Sequence, residues 1–99
     1  MSNIDELKEA IRKLHGVEST HIESVPIKET FQGRTVWEGV VDVFELHGHS
    51  EAKKAYAWSH EAGNQAKRHV AVLHVGPITS ALHAVRAAII QEYRDAQEA

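Results

Sequence analysis

The stretch that decides the fold runs from residue 18 to residue 47 and reads ESTHIESVPIKETF-QG-RTVWEGVVDVFELH. β-Branched and aromatic residues dominate it, and Gln32-Gly33 breaks it at the middle. A short turn containing glycine between β-prone runs is a hairpin signal, because tight hairpin turns need left-handed backbone that glycine adopts freely. We therefore expect long antiparallel strands that meet between Phe31 and Arg34. Pairing about that turn puts Val25, Ile27, Phe31, Val36, Val40, Phe44 and Leu46 on one face, with His21, Glu23, Glu29, Glu38 and Asp42 among them. Ile22, Trp37, Val41 and Val43 take the opposite face. Neither face is cleanly polar. Pro26 points to a bulge or an edge position, which would change the register halfway along.

Before the hairpin, Ile4, Leu7, Ile11 and Leu14 recur at helical spacing with Ala10 in the same stripe. Ser2 or Asn3 suits the N-cap, Asp5 and Glu6 suit the positive end, and Gly16 ends the helix. After the hairpin, Val70 to Val75 read as a strand, with Gly63-Asn64 as the turn before it. Pro77 stops that strand, and Thr79 or Ser80 caps a helix running to about residue 96. Leu82, Val85 and Ile89 form its apolar stripe, and Ala81, Ala84 and Ala88 allow close packing.

Residues 50–62 carry two readings. Ser50-Glu51-Ala52-Lys53-Lys54 has the chemistry of a helix start, and the alanines would carry a helix to Gly63. Tyr56, Trp58 and His60 alternate with Ala55, Ala57 and Ser59, which suits a strand. The preferred reading is a helical turn at 50–54 followed by a hairpin pairing 55–61 with 69–75. The expected fold is a single α+β domain over residues 1–99, ordered α-β-β-(α)-β-β-α. It has an antiparallel sheet of about four strands, with the N- and C-terminal helices on one face.

Composition bounds the function. The chain has 99 residues, 42% of them hydrophobic and 25% charged, as in an ordinary small globular domain. Its formal charge is −3 and its lysines and arginines are scattered, so no basic stripe points to nucleic acid. A double-stranded RNA module also ends a sheet with a helix, but Thr79-Ser80-Ala81-Leu82 carries no lysine at the helix start. The apolar stretches fall short of a membrane span. The N-terminus is acidic where a signal peptide would be basic and apolar, so a cytoplasmic protein is expected. With no cysteine, disulfides, thiolate catalysis and cysteine metal sites are excluded.

Val36-Trp37-Glu38-Gly39, Gly48-His49, Tyr56-Ala57-Trp58-Ser59, Val72-Leu73 and Val85-Arg86-Ala87-Ala88-Ile89 together resemble a group of small bacterial α+β proteins without an assigned activity. The resemblance covers most of residues 36–90 and implies no catalytic residues. Domains of this kind are also similar to those used as scaffolds for designed enzymes, which implies that a site here is either natural or built onto the scaffold. Ser50 departs from the pattern, where a proline follows Gly-His.

Eight histidines, His15, His21, His47, His49, His60, His69, His74 and His83, invite a search for proton-transfer or metal chemistry. The best nucleophile candidate is Ser50, flanked by His47 and His49. A helix start there would offer free N–H groups to an oxyanion. Its base would be His21, His74 or His60, oriented by Asp42 or Glu38. The plainer reading makes Ser50 an N-cap. Symmetric pairing of the second hairpin would also set His60 opposite His69, where both rings could share one divalent metal with a carboxylate as third ligand. The plainer reading there is strand-end histidines. His15 and His83 read as surface residues, at the end of the first helix and on the outer side of the last. Tyr56, Trp58 and Trp37 offer either core packing or the wall of a ligand pocket on the sheet face without helices. Such an aromatic face would otherwise be buried in a homodimer.

Two function classes remain. One is a serine–histidine ester hydrolase with Ser50 attacking an activated ester and His74 or His21 as base. The other is a non-enzymatic module that binds a small molecule or itself. No cofactor is expected.

Overall fold

Gln32 and Gly33 close the first hairpin with both residues in left-handed backbone, at φ 52° and 79°. That is the turn whose twist matches the strands it joins. The structure, a computed structural model, describes residues 3–61 and 67–98. Its elements are α1 (Asn3–His15), β1 (Glu18–Phe31), β2 (Arg34–His47), β3 (Lys54–Glu61), β4 (Lys67–Leu73) and α2 (Ala81–Glu98). The strands form an antiparallel sheet in the order β1-β2-β3-β4. This is the α+β class, strand number and terminal helices that the sequence leads one to expect.

The register carries two irregularities. Between His21 and Glu23 the partner on β2 moves from Phe44 to Val43, so Ile22 is an extra residue. Between Glu29 and Thr30 it moves from Trp37 to Thr35, leaving Val36 extra on the other strand. Each bulge reverses the side to which later residues point. Val25 and Ile27 therefore share a face with Val41, Val43 and Trp37, whereas His21 stays with Phe44 and Leu46. The single-face list expected for Val25, Ile27, Phe44 and Leu46 is thereby corrected. Pro26 pairs with Val40 on β1, an edge strand, where proline is tolerated.

The helices do not share a face as expected; they lie on opposite faces. Leu7 and Ile11 of α1 are fully buried against Phe44, Leu46, Ala55 and Ala57. Ala81, Ala84 and Val85 of α2 are buried against Val41, Val43, Tyr56 and Trp58. Neighbouring residues on a strand point in opposite directions. The unbroken apolar run of β2 through Val43 and Phe44 therefore needs cover on both sides. Each aliphatic side chain so buried stabilises the fold by about 1.5–3 kcal/mol. α1 ends as expected: Gly16 takes φ 73°, and its N–H donates to the Arg12 carbonyl at 2.9 Å.

No helical turn forms at 50–54. His49 Nδ1 instead accepts the N–H groups of Glu51 and Ala52, both at 3.0 Å, and bends the loop directly into β3. β3 and β4 form the expected second hairpin with slightly different limits, and the expected Gly63-Asn64 turn lies outside the described residues. The ladder between β2 and β3 pairs only residues 42–45 with 54–57. Beyond it, side chains hold the far half of the first hairpin to the body of the protein. Trp37 meets Trp58 edge-to-face at 5.7 Å, and Arg86 of α2 pairs with Glu29. At the start of α2, Ser80 Oγ accepts the His83 N–H at 3.2 Å, while His83 Nδ1 accepts the Thr79 N–H at 3.3 Å. Serine and histidine thus cap the helix reciprocally. No helix among the described residues is long and apolar enough to cross a membrane.

Candidate functional site: a cleft at the start of α2

The sheet face under α2 is not fully covered. Between β1 and the first turn of α2 a cleft of about 390 Å³ remains open. Ile22, Val25, Ile27 and Val43 give it an aliphatic wall, and Glu23, Lys54 and Tyr56 bring polar groups to it. Thr79, Ser80, Ala81 and Leu82 form the opposite rim. Strand alternation explains the arrangement, since Lys54 and Tyr56 point to the same side of β3 as Trp58. The bulge at Ile22 brings Glu23, Val25 and Ile27 to that side of β1.

Tyr56 is buried between Val43 and Val72, its ladder partners. Its hydroxyl lies 2.6 Å from His74 Nδ1. His74 is held in place through its backbone, because its N–H donates to the Lys54 carbonyl at 2.9 Å and extends the β3–β4 ladder past Leu73. Burial, and secondarily the charge of Glu23, pushes the Tyr56 phenol above its ordinary pKa. The phenol therefore keeps its proton at neutral pH and shares a hydrogen bond with His74 Nδ1. A phenol held in this state stays protonated at neutral pH and does not act as a base.

The other candidates are placed differently. His21 and Asp42 do come together, with Nε2 and Oδ1 3.0 Å apart and the His21 ring edge-on to Phe44. The bulge adds a residue absent from the sequence-based set, Ser24, whose hydroxyl donates to the same Asp42 oxygen at 2.5 Å and lies 3.3 Å from His21 Nε2. These three residue types match a catalytic triad, but the bonding does not. In a triad the carboxylate holds one ring nitrogen and the serine gives its proton to the other. Here the serine proton goes to Asp42, and both partners crowd Nε2.

Ser50 is exposed in the loop, and among the described residues no histidine hydrogen-bonds its hydroxyl. The helix start expected to activate it is absent. Trp58, for which the sequence leaves core packing or a pocket wall, is 2% exposed in the core under α2. Because α2 covers the Trp37–Trp58 face, the argument for a homodimer built on an uncovered aromatic sheet no longer applies. The β3–β4 ladder pairs His69 with Ser59 and His60 with Arg68, so the two histidines are not the cross-strand partners that metal sharing required. Among the described residues no group of three or more His, Cys, Asp or Glu could hold a metal.

Several histidines have structural partners instead. His15 Nε2 donates to the Ala71 carbonyl at 3.1 Å, tying the end of α1 to β4 rather than lying free on the surface. His47 Nε2 lies 2.7 Å from Thr20 Oγ1. A second groove, about 510 Å³, runs between the tip of the first hairpin and α2 beside Phe31, Val36, Ile89 and Ile90. Its charged residues, Glu29 and Arg86, are already paired with each other. The sequence places Glu23 only as an acidic neighbour on the His21 face and Lys54 only in an expected helix start, and nothing local announces the bulge at Ile22 that brings Ser24 to Asp42.

Comparison with known proteins finds no matching family model, no similar curated protein and no similar solved structure.

Proposed function

We propose that the protein is a non-enzymatic small-ligand-binding domain whose ligand seats between β1 and the first turn of α2. One observation carries this reading: an aliphatic cleft of about 390 Å³ onto which Tyr56, Glu23 and Lys54 converge. That size is within the range of small-molecule sites, and apolar walls with few oriented polar groups are their usual chemistry. Tyr56 contributes its hydroxyl to the lining, and burial keeps that phenol protonated.

A fragment screen read by amide chemical shifts tests the reading. Binders are expected to perturb residues 22–27, 54–56 and 79–82 together. A screen in which every binder leaves those amides unmoved, or moves those of another surface, overturns it.

A further inference from the structure

Resting on the small-ligand reading of this cleft, we infer that its occupant is a free α-amino acid with an aliphatic side chain. Glu23 and Lys54 both line the cleft, yet no ion pair joins them. Opposite charges on one small cavity would attract a ligand that carries both. The Lys54 ammonium and the positive end of α2 favour a carboxylate. The N–H groups of Ala81 and Leu82 precede the first intrahelical bond, which Ala84 makes to the Ser80 carbonyl at 3.1 Å. The Glu23 carboxylate favours an ammonium. Ile22, Val25, Ile27 and Val43 supply an aliphatic wall beside Tyr56, suited to a branched or straight alkyl side chain. A simple fatty acid would leave Glu23 facing the ligand's own charge, and a simple amine would leave Lys54 in the same position. The zwitterion satisfies both charges at once.

Three compounds of similar shape separate these cases in calorimetric titrations and amide-shift maps: L-leucine, 4-methylpentanoic acid and 3-methylbutylamine. Leucine is expected to bind and to shift residues 22–27 and 79–82. Each singly charged analogue is expected to bind more weakly by about tenfold or more, since each loses a charge-assisted contact. Glu23→Gln should remove the preference for leucine over the acid, and Lys54→Met the preference over the amine. Equal or tighter binding of either analogue at the cleft overturns the zwitterion while the small-ligand reading survives. Failure of all three to shift these amides overturns the inference, and the fragment screen then decides separately whether the cleft binds anything. The comparison of the three compounds needs only the unaltered protein.

Discussion

The Tyr56 hydroxyl and His74 Nδ1 stand 2.6 Å apart where the chain leaves β4, joining a buried strand to the segment that leads into α2. The bond therefore has a structural role as well as a place in the cleft.

That role has a pH signature. The folded state holds the Tyr56 proton more tightly than the unfolded chain, whose phenol titrates near its usual pKa of about 10. The stability due to this difference is fully present below about pH 10 and is lost as pH rises toward the raised native value. Urea midpoints measured from pH 8 to 11 should fall on the alkaline side, and more steeply than in Tyr56→Phe. Parallel curves for the two proteins would sink this account. At neutral pH the variant should lose about 1–2 kcal/mol, because His74 Nδ1 is left without its hydrogen-bond partner.

Asp42 is 4% exposed and accepts from both Ser24 and His21. Asp42→Asn keeps the shape but removes the charge and one acceptor geometry. We expect a loss of about 1–3 kcal/mol in denaturant unfolding, most of it shared with Ser24→Ala. Fully additive losses in the double variant would show that the two groups are not coupled.

Gly39 lies beneath the Trp37 ring, and an added Cβ would meet the ring edge at 3.2 Å. Trp37 in turn rests edge-to-face on Trp58. Gly39→Ala should displace the ring, alter the near-ultraviolet circular dichroism and cost about 1 kcal/mol or more. An unchanged aromatic spectrum would mean that the ring is not displaced, against this account of Gly39.

Ser50→Ala should leave stability within about 0.5 kcal/mol of the parent, as expected for an exposed side chain. A fluorophosphonate probe should leave Ser50 unmodified by mass spectrometry. An adduct on Ser50 would restore the hydrolase reading.

Much of this fold was legible in the sequence because its signals are local. Gln32-Gly33, the stripe of Leu7 and Ile11, Gly16 and Ser80 each act within a few residues. The positions of the helices were not read correctly, although a signal existed: consecutive buried residues such as Val43 and Phe44 leave no strand face for solvent. The candidate site was legible only in part. His21 and Asp42 meet because cross-strand neighbours follow from the turn. The cleft depends on how α2 docks, and Glu23, Lys54 and Ser80 come from three separate elements or their edges. No local pattern announces such a meeting.

Ile22 acts as a spacer, and its side chain belongs to neither core. Before it, the odd-numbered Ser19 and His21 look toward α1; after it, the odd-numbered Val25 and Ile27 look toward α2. One strand is thus read in two frames, each matched to a different helix. A chain lacking this single residue would have one frame to offer. It would have to forfeit either the Ser24–Asp42 contact and the aliphatic wall of the cleft, or the seat of His21 on Phe44. Shortening β1 by one residue here would set the two halves of the molecule against each other.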